Sequence, residues 1–115
     1  MKILLIAITL TILSGCGTNV SKSKLYWGSY SNTLYKTRTD PGAETTQLHL
    51  KELESIVNKS KEMGLRVPPG IYAEIGFIHM SKNEAKKASV FFELESKEYP
   101  ESKKFISTLM TKYSR

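Results

Sequence analysis

In this chain of 115 residues, the side chains best suited to covalent or proton-transfer chemistry are one cysteine, Cys16, and two histidines, His49 and His79. A nucleophilic thiol needs a positive neighbour that draws out its thiolate. A zinc site needs His, Cys or carboxylate ligands grouped at short spacings. Neither pattern surrounds these residues. No serine sits in a Gly-x-Ser-x-Gly elbow, and the glycines form neither a P-loop nor a dinucleotide fingerprint. Glutamates stand singly along the chain and read as solvated faces beside lysines, as Glu93 beside Lys97. Each lone histidine reads as a packing or surface residue. The expectation is a protein that is not an enzyme, with no cofactor, no metal site and no small-molecule substrate.

The chemistry open to Cys16 is set by what precedes it. Lys2 gives a positive start, and 3–13 is an apolar run broken only by Thr9 and Thr11. That run is too short to cross a bilayer, which takes about 20 apolar residues, but it suits the central region of a secretory signal, about 7–15 residues long. Leu13-Ser14-Gly15-Cys16 resembles the lipobox of bacterial lipoproteins. The resemblance implies a diacylglycerol thioether on Cys16, cleavage before it and acylation, by palmitate or a similar chain, of the freed amine. Such chains anchor a protein to a membrane without a spanning helix. In those lipoproteins an aspartate after the cysteine usually marks inner-membrane retention. Gly17 stands there instead, which implies an outer-membrane location facing the periplasm. Lipidation consumes the single thiol, so no disulfide is expected and stability rests on packing or partners.

This divides the chain into a cleaved signal at 1–15, a lipidated tether at 16–24 and a helical domain at 25–115. The formal net charge is +6. Lys22, Lys24, Lys36 and Arg38 lie near the proposed anchor and read equally as attracted to anionic headgroups or as a solvated basic surface. Lys103, Lys104, Lys112 and Arg115 read as a solvated basic surface. A secretory start argues against nucleic acid as the partner of these charges.

Four or five helices are expected and little or no strand, because no stretch sustains a two-residue alternation. "LYWGSYSNTLYK" crowds Tyr26, Trp27, Tyr30 and Tyr35, with Ser29 as the cap of a short helix. Asp40-Pro41 reads as an N-cap followed by a first-turn proline. The next helix spans about 43–63, with Leu50, Leu53, Val57 and Ser60 on its inner stripe and Leu48, Ile56 and Met63 widening it; Gly64 ends it. Three further helices follow at 71–80, 84–98 and 101–113. Phe105, Leu109, Met110 and Tyr113 are expected to give the last its buried face.

From Tyr72 onward one register resembles the tetratricopeptide pattern of Trp-x2-Leu-Gly-x2-Tyr, Ala-x3-Phe and Pro. Tyr72 takes the Trp place, Ile75-Gly76 the Leu-Gly place and His79 the Tyr place; Ala88, Phe92 and Pro100 complete it. Gly76 and Ala88 let two antiparallel helices approach, Tyr72, Ile75 and Phe92 fill the contact, and Pro100 stops the second helix. Glu95 departs from the pattern, which has a small residue there. A single such unit cannot bury its apolar faces, so the helices on either side must cover it. The fold expected is an all-α, small right-handed stack of about four helices. By the same resemblance Ala73, Phe77 and Met80 line a groove. The alternative, preferred for so short a stack, packs Phe77 and Met80 on the helix at 43–63.

Taken together, the lipobox, "LYWGSYSNTLY", "PPGIYAEIGFIHMS" and "AKKASVFFELESKEYPES" resemble a family of small bacterial lipoproteins catalogued as domain of unknown function 4810. That family implies an outer-membrane lipoprotein in a shared envelope complex, with a CsgG-like lipoprotein as its neighbour. It supplies no catalytic residue. The resulting expectation is a lipid-anchored adaptor or assembly factor that binds an envelope protein through Trp27, Tyr26, Tyr30, Phe77 and Met80. In the alternative, the aromatic segment binds peptidoglycan, or it merely plugs the open end of the stack.

Overall fold

The computed structural model describes residues 24–113. The signal segment, Cys16, most of the tether and Arg115 lie outside the described residues. Within them the chain is all-α: α1 (Tyr30–Thr39), α2 (Ala43–Glu62), α3 (Ile71–Ser81), α4 (Ala85–Glu98), a 3-10 turn at Pro100–Ser102 and α5 (Lys103–Tyr113). Successive helices pack on one another, so the short N-terminal helix is one more member of the stack.

The main core is built from the inner stripe of α2 (Leu50, Leu53, Ile56 and Val57), Val67 of the following loop and Ile71, Tyr72 and Ile75 of α3. A second core joins Ala88 and Phe92 of α4 to Ile106 of α5, with Ala73, Met80, Leu109 and Met110 at its edge. Helix α3 therefore serves both cores from opposite sides. Gly76 makes this possible. A Cβ there would stand 2.7 Å from Cε1 of Phe92 and 3.1 Å from the Ala88 carbonyl oxygen. Gly76, Ala88 and Phe92 meet at this contact, whereas Tyr72 and Ile75 belong to the main core on the α2 side, and Pro100 opens the 3-10 turn after α4.

Several expectations need correction. Asp40 does not cap α2: it closes α1, its N–H donating to Lys36 O, and α2 begins at Ala43 behind Gly42. Ser29 stands at the N-cap of α1 but makes no side-chain capping bond. Its N–H instead donates to Oε1 of Glu52 at 2.7 Å, and a carboxylate suits that positive helix end. Leu48 and Met63 are 43% and 58% exposed: His49 takes the inner place beside Leu48, and Met63 stands at the C-cap beyond the last turn. Phe105 is 61% exposed, since α5 turns Ile106 inward. Ala73 and Met80 pack toward the second core and not on α2.

Glu95 is buried, contrary to a solvated glutamate face. Its carboxylate accepts the Gly70 N–H at 2.8 Å and the Ala73 N–H at 3.3 Å. A helix N-terminus leaves such donors unpaired, so Glu95 completes α3 from the neighbouring helix. Close by, the Tyr99 hydroxyl donates to Val67 O at 2.6 Å, and the Arg66 guanidinium lies 3.9 Å over the Tyr99 ring. These bonds fasten the α2–α3 loop to the end of α4.

Candidate functional site

Helix α3 carries Glu74 and Phe77 one turn apart, on the arc between the two faces it buries. The flanking odd-numbered helices each bring aromatic groups to that arc. From the α1 side, the Tyr30 hydroxyl donates to Oε2 of Glu74 at 2.9 Å, and Trp27 meets the Tyr30 ring edge-on at 5.4 Å. From α5, Tyr113 meets Phe77 edge-on, also at 5.4 Å. Two contact groups, Trp27–Tyr30–Glu74 and Phe77–Tyr113, are thus set in line by the one-turn spacing of Glu74 and Phe77 on α3. Along this line Trp27, Phe77 and Tyr113 remain 40%, 39% and 43% exposed.

Glu74 is the fixed point of this line. Its Oε1 lies 2.8 Å from Nε2 of His49, and Nδ1 of His49 lies 2.7 Å from the Thr33 hydroxyl. A ring nitrogen facing a carboxylate must carry the proton, so Nε2–H donates to Glu74. Thr33 then donates to Nδ1 of neutral His49. If the ring is charged, Thr33 accepts from Nδ1 and turns its own proton to Tyr30 O, 3.1 Å away. Both states are fully bonded, so the chain Thr33–His49–Glu74–Tyr30 fastens α1 to α2 and α3 in either. The Tyr30 hydroxyl is pushed up to about 12, first by burial, then by its hydrogen bond to Glu74 and that residue's charge, against an opposing pull from Arg38.

A hydroxyl, an imidazole and a carboxylate in a row also describe a hydrolytic triad. Here the Thr33 hydroxyl is buried in the α1–α2 contact. The cleft of about 640 Å³ beside that contact is lined by other residues, among them Lys36, Glu44, Leu48 and Lys51. The network therefore reads as a fastening. The second histidine is placed similarly. Nδ1 of His79 lies 2.6 Å from Oε2 of Glu84, its ring stacks on Phe91 at 5.5 Å, and Lys87 reaches the other oxygen of Glu84. These two donors, His79 first, hold the Glu84 carboxyl below the usual range. Among the described residues no group of three or more His, Cys, Asp or Glu is arranged to hold a metal.

Of the five residues singled out for partner contact, the line includes Trp27, Tyr30 and Phe77. Tyr26 packs against the main core, with Lys59 Nζ 5.8 Å from its ring centre. Met80 packs at the edge of the second core. Sequence reasoning missed His49, Glu74 and Thr33 because they lie on three separate helices. It placed Tyr113 in the core, where its ring instead closes the exposed line.

A family model described as domain of unknown function 4810 (DUF4810) matches residues 25–109. No curated protein and no solved structure matches the chain.

Proposed function

The chain belongs to the domain of unknown function 4810 family, and on that premise we propose that it is a lipid-anchored outer-membrane lipoprotein whose helical body faces the periplasm as a non-enzymatic adaptor in an envelope complex. The observation that carries this reading is the exposed aromatic line across α1, α3 and α5. Three large rings are about two-fifths exposed, Trp27 against the hydrogen-bonded Tyr30 and Phe77 against Tyr113. Aromatic residues in such settings supply most of the binding energy at protein interfaces. The close approach of α3 and α4 at Gly76 supports the tetratricopeptide-like reading of the hairpin, and the first helices of such units line their binding face. Cys16 is the proposed lipid site, and a CsgG-like lipoprotein is the proposed partner.

Cross-linking of the lipidated protein in its own envelope, followed by affinity purification, tests the adaptor role. A defined envelope protein is expected, with recovery reduced about tenfold for Phe77→Ala and for Trp27→Ala. Unchanged recovery for both variants removes the aromatic line from the interface. Sedimentation with purified peptidoglycan, abolished by Trp27→Ala, would replace the adaptor with a cell-wall binder. Failure of labelled palmitate to enter the protein would remove the anchor.

A further inference from the structure

A second exposed feature lies on the outer face of α5, next to the end of the aromatic line, where Lys112 Nζ stands 5.8 Å from the Tyr113 ring centre. Phe105 is 61% exposed in a helix whose inner face is already filled by Ile106. Lys112 stands two turns along the same line, Lys104 is adjacent, and both are exposed. Lys103 begins the helix, and Glu101 of the preceding turn is the nearest acid in sequence. The hydroxyls of Ser107, Thr108 and Thr111 donate back to Lys104 O and Ser107 O. The face therefore presents a single large apolar ring among ammonium groups, with its hydroxyl protons turned inward.

Three kinds of occupant fit a bare helix face, and the charge separates them. A second copy across a two-fold axis would set lysines against lysines, which is repulsive. An acidic protein helix would match in sign, but the open hollow on this face is lined by Ser107, Thr108, Thr111 and Lys112, and the three hydroxyls donate to Lys104 O and Ser107 O, which leaves only the ammonium groups to hold a carboxylate. An anionic bilayer surface needs no directional donor: a basic amphipathic helix lies in the interface with its ring among the acyl chains and its lysines at the headgroups. We propose that the outer face of α5 is a membrane-contact surface, with Phe105 inserting into an anionic leaflet and Lys104 and Lys112 meeting its phosphates. It goes beyond the adaptor reading and uses other residues, Phe105 and Lys104, with Lys112 at the boundary with Tyr113. With the proposed lipid at Cys16, it would give the protein a second membrane signal and lay the stack along the leaflet.

The test uses the purified full-length mature protein with Trp27→Phe and Phe105→Trp, so that the one tryptophan reports on the site. It is mixed with vesicles of phosphatidylcholine alone or with roughly one-third phosphatidylglycerol, both with brominated chains. In the anionic vesicles the emission should shift to the blue and fall about twofold by contact with the bromines. Lys104→Glu with Lys112→Glu should abolish both changes while far-UV circular dichroism stays the same. Absence of quenching in both membranes overturns the proposal. So does shielding of the tryptophan from iodide in whole envelopes but not in lipid vesicles, which would assign the face to an acidic protein. Flotation on the neutral vesicles reads the lipid anchor separately, and the cross-linking experiment reads the partner. Failure of either leaves the Phe105 readout intact.

Discussion

Helix α3 is held by two seams of opposite character. Toward α4 it is fastened by shape: Gly76 lets the Phe92 ring and the Ala88 backbone come closer than any side chain would allow. Toward α1 it is fastened by polar bonds, from Thr33 through His49 and Glu74 to Tyr30. Thr33 is the buried residue of α1, so that helix contributes little apolar area of its own. The apolar seam gains from excluding water and from close packing. The polar seam gains modestly per bond but is costly to break halfway, since a buried group left without its partner carries its full desolvation penalty.

The largest expected effect breaks the apolar seam. Phe92 is fully buried, and Phe92→Ala should cost about 3–5 kcal/mol. That is a large share of the roughly 5–15 kcal/mol typical of a domain. A urea titration followed by far-UV circular dichroism measures it. A loss below about 1 kcal/mol would mean that the ring does not fill the space between α3 and α4. Gly76→Val probes the same seam from the opposite side, by overpacking it.

The two seams were not equally legible in the sequence. Gly76, Ala88 and Phe92 sit at fixed helical spacings within one hairpin, so a linear pattern encodes their contact. Thr33, His49 and Glu74 come from three helices, and no spacing relates them. His49 left a trace, a polar residue between Gln47-Leu48 and Leu50 at an inner position of α2, but hydrophobic periodicity favoured Leu48 for the stripe. Glu95 was visible as a departure from the pattern and then misjudged as solvated, because its partners are backbone N–H groups at Gly70 and Ala73. Backbone donors have no sequence signature. The exposed ring of Phe105 was hidden for a related reason. Its apolar neighbours Ile106, Leu109 and Met110 make one broad arc, and which part of that arc faces inward depends on how α5 docks.

Breaking the polar seam should have the next largest effect. His49→Ala removes both bonds of the ring, leaving Thr33 its backbone acceptor Tyr30 O and Oε1 of the partly exposed Glu74 without its protein donor, at a cost of about 1–3 kcal/mol. Hydrogen exchange should show the loss concentrated in α1, with α4 and α5 still protected. Glu74→Gln combined with His49→Ala should cost clearly less than the sum of the two single changes, because both remove the same bond. Full additivity would show that the His49–Glu74 contact contributes nothing to the seam. A uniform loss of protection along the chain would show that α1 is no weaker than the rest.

The smallest effect sharpens the comparison by way of pH. Tyr30→Phe removes one bond of the seam and should cost about 1 kcal/mol near neutrality. The hydroxyl's pKa is raised from 10.0 to about 12 in the folded protein, first through burial and then through Glu74. A group whose folded pKa exceeds its unfolded one contributes its full stabilisation below the unfolded value. The contribution then falls as pH rises from about 10 and is gone above about 12. Wild-type stability should therefore decline on that alkaline limb more steeply than that of Tyr30→Phe, and the two denaturation curves should converge toward pH 12. The Phe92 ring has no proton to lose, and the Tyr72 hydroxyl, its pKa raised by burial and then by the charges of Glu98 and Glu95, is present in wild type and Phe92→Ala alike. The packing defect of Phe92→Ala should accordingly keep its size across the same range, while the defect of Tyr30→Phe shrinks. Parallel curves for wild type and Tyr30→Phe would place the hydroxyl outside the bonded line, leaving Trp27 and Tyr30 held by ring contacts alone.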